Sequence, residues 1–133
     1  MERQELEAAY QATHYLCGKL DLRIGQGSPE LDELLTGRGL HAWCYLTAAN
    51  PRSQTLSDEE NATRMRALAG ALDERGLRWL RGVARAADGG WPDEPSLLVL
   101  GLDEAQGRAL AQTWQQNTIV CGEVGAPARL VWL

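Results

Sequence analysis

The chain has few of the residues that build common catalytic or metal centres, and its apolar runs are short. Its 133 residues include two histidines, three cysteines and one lysine, Lys19. The longest apolar run, at residues 97–102, is far shorter than the roughly 20 residues that a membrane-spanning helix needs. The N-terminus, MERQELEAAY, has the pattern of a charged helix rather than of a signal peptide. We therefore expect a soluble, cytoplasmic protein with no membrane association.

The cysteines are too few and too scattered for a disulfide framework. Cys17, Cys44 and Cys121 are odd in number, widely spaced and set among apolar residues. Secreted proteins that rely on disulfides usually carry an even, closely spaced set. The sequence therefore predicts reduced thiols, which agrees with a cytoplasmic location.

Positive charge is also scarce. The formal net charge is -5, and the 13 basic residues include only one lysine. The nearest approach to a basic cluster is residues 75–85, but a strand there would place Arg78 and Arg85 on opposite faces. Nucleic acid is therefore not an expected partner.

Motifs for cofactors, metals and activated nucleophiles are missing. No glycine-rich phosphate loop joins a strand to a helix, and there is no nucleophile elbow or HEXXH helix. The pairs His14/Cys17 and His41/Cys44 share the spacing H-x-x-C, and two such pairs could supply four zinc ligands. Residues i and i+3 of a strand face opposite ways, so we predict neither a metal site nor a cofactor.

The length and periodicity of the chain predict one α/β or α+β domain spanning residues 1–133. Helices are expected near 2–12, 29–36, 58–75 and after Asp103, with two short strands or one bent strand between Thr13 and Ile24. Further strands are expected near 42–49, 79–84, 96–102, 118–124 and 128–133, the last two joined as a hairpin by residues 125–127. Consecutive strands recur, which favours a mixed, mostly antiparallel sheet of five to seven strands with helices packed on it.

The loop TAANPRSQTLSDEEN at residues 47–61 is the first candidate site. Ser57 and Glu60 have capping-box spacing, which predicts a helix start. Asn61 then falls on the buried stripe of that helix, where an amide needs hydrogen-bond partners. Two interpretations stay open. Either Asn61 only fastens the loop backbone near Asn50, or Asn50, Arg52, Asn61 and Arg64 surround a pocket suited to an anionic group.

Two further polar clusters flank predicted strands. Glu94 and Ser96 stand at the entrance of the strand near 96–102, where Glu94 is the candidate general base if the protein is an enzyme. Ser96 has neither a nucleophile elbow nor a placed histidine. Gln116 and Asn117 lie between a helix and a strand, and they also fit a polar helix exit with no function.

Several of these motifs together resemble a family of small, mainly bacterial proteins known as domain of unknown function number three-two-nine-three. The resemblance runs from about Tyr10 to the C-terminus. It rests on residues 47–53, 60–61, 92–101 and 116–120, which read TAANPRS, EN, PDEPSLLVLG and QNTIV.

The resemblance implies no established activity. It implies that Asn50, Asn61, Glu94, Ser96, Gln116 and Asn117 match the motif positions of the family and meet in one place. The chain departs from the family pattern at Ala49, Leu97 and Thr118. Because such positions line a pocket or the core, they bear on the ligand more than on the fold.

Geometry makes this expectation specific. If the strands near 42–49 and 96–102 are antiparallel neighbours, Asn50 lies beside Glu94 and Ser96. The leading hypothesis is then a site for a small polar or anionic ligand, or for a peptide terminus. Its expected residues are Asn50, Arg52, Asn61, Arg64, Glu94, Ser96, Gln116 and Asn117.

The alternative hypothesis is a protein-interaction or regulatory module without a small-molecule ligand. That hypothesis expects two or more of the five tryptophans to form an exposed patch. The sequence leaves the oligomeric state open.

Overall fold

The computed structural model describes residues 2–133 and contains four α-helices and seven β-strands within them. The helices are α1 (Arg3–Ala12), α2 (Pro29–Thr36), α3 (Asp58–Glu74) and α4 (Glu104–Thr113). The strands are β1 (His14–Cys17), β2 (Leu20–Leu22), β3 (Ala42–Leu46), β4 (Arg78–Arg85), β5 (Glu94–Leu100), β6 (Thr118–Glu123) and β7 (Arg129–Trp132). A short 3-10 turn, Pro51–Ser53, lies between β3 and α3.

The strands form one sheet in the order β2-β1-β4-β5-β3-β6-β7, and every neighbouring pair is antiparallel. A parallel bridge joins Ile24 to Ala128, so the two edges of the sheet approach each other. The sheet is therefore strongly curled. This architecture is α+β and confirms the predicted class of mostly antiparallel sheet with packed helices.

Local sequence signals explain where the main helices begin. Ser28 accepts a hydrogen bond from the backbone N–H of Leu31 ahead of Pro29, which is the first residue of α2. Helices α3 and α4 both begin with a capping box, the first built by Ser57 with Glu60 and the second by Asp103 with Gln106. These caps satisfy backbone N–H groups that would otherwise have no partner in the first turn.

The two faces of the sheet carry separate apolar clusters. On the outer face, helices α3 and α4 cover residues such as Cys44, Leu97, Val99 and Ile119. The inner cluster contains Leu22 near one edge of the sheet and Ala128 near the other, together with Leu31 and Leu35 of α2 and central-strand residues such as Tyr45 and Leu98. Because residues from both edges meet in one cluster, the sheet curls around it.

The two strand ends beside the candidate site differ from the sequence prediction. Strand β3 ends at Leu46 rather than at 49, because the Thr47 hydroxyl accepts a hydrogen bond from the backbone N–H of Ala49 and the chain turns out of the sheet. Strand β5 begins at Glu94 rather than at 96, since residues 94–96 pair with β4 before β3 joins at Leu97. Glu94 is therefore a strand residue.

The sheet contains two short hairpins. Residues 125–127 connect β6 and β7 as the predicted antiparallel hairpin, and between Thr13 and Ile24 the chain forms two short strands, β1 and β2, which pair with each other. Cys17, Cys44 and Cys121 are all free and buried. Within residues 2–133, no helix combines the length and apolar character that crossing a membrane requires.

Gly82 of β4 gives a test of the inner packing. The Tyr45 hydroxyl donates a hydrogen bond to the Leu16 carbonyl oxygen at 2.8 Å, passing over Gly82. A Cβ at Gly82 would lie 2.5 Å from that carbonyl oxygen and 2.6 Å from the hydroxyl. We expect Gly82→Ala to lower the free energy of unfolding by about 1–3 kcal/mol, as overpacking usually does. Denaturant unfolding followed by circular dichroism measures the change.

Gly70 of α3 is the matched control, because a Cβ there meets no atom within 4 Å. Gly70→Ala should stabilise the helix by about 0.5–1 kcal/mol. Equal effects of the two substitutions would contradict the packing assigned to Gly82.

Candidate functional site

The candidate residues converge where β3 leaves the sheet and β5 enters it. The two strands are antiparallel neighbours, with Leu46 opposite Leu97. The side-chain Nδ2 of Asn50 donates a hydrogen bond to Oε2 of Glu94 at 3.1 Å. The structure thus brings together two residues that are 44 positions apart in the sequence.

Asn50 and Asn61 form a reciprocal pair. Oδ1 of Asn61 accepts from the backbone N–H of Asn50 at 2.9 Å, and Nδ2 of Asn61 donates to Oδ1 of Asn50 at 2.8 Å. Oδ1 of Asn50 also accepts from the backbone N–H of Leu56 at 3.0 Å. Asn61 is 7% exposed, so its amide is a buried polar group whose partners come from the loop itself. The interpretation in which Asn61 fastens the loop is confirmed.

Arg64 and Gln116 fasten the segments on either side of the pair. The Arg64 guanidinium donates to the carbonyl oxygens of Ala48 and Trp114, and it lies 5.4 Å from the centre of the Trp114 ring. Nε2 of Gln116 donates to the carbonyl oxygen of Ala49 at 3.0 Å. Both side chains therefore bind backbone that has left the sheet and has no ladder partner.

Backbone strain is concentrated at the same place. Asn50, Arg52, Ser53 and Gln115 have φ between 47° and 62°, and within residues 2–133 they are the non-glycine residues with positive φ. The backbone N–H of Arg52 donates to the carbonyl oxygen of Gln115 at 2.7 Å, which joins the two strained segments. Left-handed backbone at residues other than glycine is costly and clusters at functional sites.

Asn117 and Ser96 form hydrogen bonds with residues other than Asn50 and Asn61. Nδ2 of Asn117 donates to Oγ of Ser53 at 2.8 Å, near the surface. Ser96 is buried, and its hydroxyl donates to the Glu94 carbonyl oxygen at 3.2 Å. No histidine in the described part of the chain hydrogen-bonds to Ser96, so the structure shows no base beside its hydroxyl.

The Glu94 carboxylate accepts one hydrogen bond from the described part of the chain. It is half-buried, and Oε2 accepts from Asn50 while Oε1 has no hydrogen-bond partner among residues 2–133. No arginine, lysine or histidine in that range forms an ion pair with it. Burial raises the pKa of the Glu94 carboxyl above its ordinary value, and the hydrogen bond from Asn50 only partly opposes this rise.

A groove of about 1430 Å³ runs past these residues. Its walls include Tyr15 and Tyr45 from the inner face of the sheet and Met65 and Leu97 from the outer face, with Glu94 between them. Helix α1 contributes Leu6 and Tyr10 to one side. The groove is larger than the roughly 300–1,000 Å³ of most ligand pockets, and its lining, mostly apolar with a few polar groups, is typical of ligand sites.

The structure also bears on the zinc and tryptophan alternatives. Within residues 2–133, no group of three or more His, Cys, Asp or Glu side chains is placed to hold a metal ion. Nδ1 of His14 lies 2.9 Å from Asp21, and Cys17 is buried in the inner cluster. Trp43 is 3% exposed and the other four tryptophans are partly buried, so the described residues present no exposed tryptophan patch.

Sequence reasoning missed the tyrosines and Thr47. Tyr15 and Tyr45 have strand spacing consistent with burial, but nothing in the pattern indicates that β1 and β3 face the same groove. The Thr47 hydroxyl donates to the Pro95 carbonyl oxygen at 2.6 Å and links the two strand ends. A threonine directly after an apolar strand is a signal for such a link.

The fold and the loop define an α+β protein whose polar residues gather at one end of a curled sheet. The chain belongs to the family described as Protein of unknown function (DUF3293), whose model matches residues 46–119. That range includes all eight candidate residues and is narrower than the resemblance read from the sequence. Neither the curated proteins nor the solved structures gave a match.

The buried amide pair generates a stability prediction. Asn61→Ala removes the acceptor of the Asn50 N–H and one donor to the Asn50 side chain. We expect it to lower the free energy of unfolding by about 1–3 kcal/mol, as leaving buried polar groups unpaired does. Asn117→Ala removes a surface amide contact and should cost less than about 0.5 kcal/mol. Similar losses in the two variants, measured by denaturant unfolding, would contradict the role of the pair.

Glu94 generates a pH prediction. Because the folded-state pKa is raised, the folded protein binds the proton more tightly than the unfolded chain, and stability is lost as pH rises from about 4.3 through the folded-state value. Glu94→Gln removes that loss, so the variant should gain stability relative to the parent protein as pH rises from 4 to about 8.

Asp93→Asn is the control for that prediction. The ion pair with Arg85 lowers the pKa of Asp93, so this interaction is lost as pH falls. The stability difference should therefore change with pH in the opposite direction. Thermal unfolding in matched buffers compares the two variants, and a difference for Glu94→Gln that does not depend on pH would refute the raised pKa.

Proposed function

We propose that the protein binds a small polar ligand or a peptide terminus in the groove, at the place where Glu94 meets the loop of Asn50. The observation that carries the proposal is the half-buried Glu94 carboxyl. One of its oxygens has no hydrogen-bond partner among residues 2–133, and it lines a groove large enough for a small molecule. An isolated carboxyl of this kind lowers stability and is favoured where it serves binding or catalysis.

The roles of the other residues in this proposal follow from their contacts. Asn50 orients the Glu94 carboxyl, and Asn61 holds Asn50. Arg64 and Gln116 position the loop backbone through carbonyl groups. These four would therefore support the site through its geometry, while Glu94 would contact the ligand. Arg52 and Asn117 lie along the groove, Ser96 lies beside Glu94, and all three remain candidates for contact.

Pre-organisation supports the same proposal. Four strained residues are held by several hydrogen bonds in one loop system, including the link between Arg52 and Gln115. A rigid site loses less conformational entropy when it binds a ligand than a mobile one does. The strained backbone is explained if it serves to present the groove in a fixed shape.

The interaction-module alternative finds less support. Val124 is the exposed large hydrophobic residue within the described part of the chain, and it lies at the β6–β7 hairpin. One such side chain is too small an apolar surface for a stable protein interface.

The test is a screen of amino acids, amines, sugar phosphates, nucleotides and short peptides by protein-detected NMR. A true ligand should shift signals of groove residues such as Tyr15, Tyr45 and Glu94, and Glu94→Gln should weaken its binding. Glu74→Gln, at an exposed position of α3 outside the groove, changes the net charge equally and should leave binding unchanged. No groove shifts with any compound class would overturn the proposal.

A further inference from the structure

The electrostatic pattern of the groove bears on the charge of the ligand, an inference that rests on the proposed function. Arg52, Arg66 and Arg81 line the groove and form no ion pair within residues 2–133. Around the Asn50–Asn61 pair, in contrast, the donors that an anion would need are already used. Arg64 donates to two carbonyl oxygens, and the amides of Asn50, Asn61 and Gln116 all donate to protein acceptors. An anion could bind to these donors only if their present hydrogen bonds were broken.

The N-terminus of α3 is equally unsuited to an anion. Its capping box is complete, with Ser57 accepting from the backbone N–H of Glu60 and Glu60 accepting from that of Ser57. Asp58, Glu59 and Glu60 add three carboxylates to the first turn. These groups already take advantage of the positive end of the helix dipole and repel a further negative charge.

Glu94, in contrast, has no positive partner within residues 2–133. The residue opposite it on β4 is Ala84, and Arg85, next in sequence, is paired with Asp93 at 2.8 Å. The hydroxyls of Tyr15 and Tyr45 donate to the carbonyl oxygens of Tyr10 and Leu16, so neither neutralises the carboxylate. A half-buried carboxylate without a countercharge is stabilised by a cation that brings its own hydrogen-bond donors.

We propose that the groove recognises a primary ammonium group, either on a small amine or at the amino terminus of a peptide, through Oε1 of Glu94. An ammonium group has three donors, so it can bind Oε1 and still bond to other acceptors. Thr47 and Pro95 also line the groove, where the Thr47 hydroxyl donates to the Pro95 carbonyl oxygen, and both oxygens can accept a further hydrogen bond. Arg52, which is exposed and has no ion-pair partner within residues 2–133, lines the same groove and would tolerate a carboxylate on the same ligand.

Four leucine derivatives of similar size separate the effect of the ammonium group on binding from the effect of the carboxylate. L-leucinamide carries only the ammonium group, N-acetyl-L-leucine only the carboxylate, L-leucine both, and N-acetyl-L-leucinamide neither. Each is titrated to millimolar concentration into the full chain at pH 7.5, and the side-chain carboxyl carbon of Glu94 is followed by NMR together with backbone signals of the groove. L-leucinamide and L-leucine are expected to bind, and the two acetylated compounds are not.

Two variants test whether the negative charge that binds the ammonium group is that of Glu94. Glu94→Gln keeps an acceptor for Asn50 but removes the negative charge, and it should weaken L-leucinamide binding about tenfold or more, as loss of a charged hydrogen-bond partner does. Glu74→Gln, which removes an exposed carboxylate of α3 outside the groove, should change binding less than about twofold.

The results distinguish this inference from the broader proposal. Equal or tighter binding of N-acetyl-L-leucine or N-acetyl-L-leucinamide at the groove would overturn the ammonium inference and leave ligand binding in place. Absence of groove shifts with L-leucinamide and L-leucine would also overturn it, and the wider compound screen then decides the proposed function separately.

Discussion

The hydrogen-bonded pair of Asn50 and Asn61 is the interaction on which the site depends. Asn50 lies in the loop that follows β3, and Asn61 lies in the first turn of α3. Their contact fixes the helix start against the strand end, and through Asn50 it fixes the position of the Glu94 carboxyl. One buried amide thus couples an outer helix, a central strand and the groove.

The curl of the sheet makes that coupling useful. Because the inner cluster includes residues from both sheet edges, the inner strand faces turn toward one another rather than toward solvent. Tyr45 crosses the inner face to reach the Leu16 carbonyl, and this path needs the missing side chain of Gly82. The groove wall is therefore set by packing within the sheet as well as by the loop, and its shape does not depend on a mobile segment.

The sequence predicts much of the fold because its local signals agree with the final structure. The capping box of Ser57 and Glu60 and the alternation along β1 each act over a few residues, so they can be read directly. The ends of β3 and β5 were wrong because they depend on partners far away in the sequence. The Thr47 hydroxyl and the pairing of Glu94 with Ala84 decide them, and neither leaves a periodic pattern.

The contrast between local signals and distant partners also separates the features of the site that the sequence predicts from those that it does not. The burial of Asn61 and its meeting with Asn50 follow from helix periodicity and an expected antiparallel strand pair. Which polar groups remain unpartnered does not follow, because it requires knowing every acceptor within reach. Arg64 would be a natural anion ligand by residue type, but in the structure it binds two carbonyl groups. Within residues 2–133 Glu94 keeps an oxygen with no protein partner, so the proposed charge preference of the groove rests on this carboxylate rather than on Arg64.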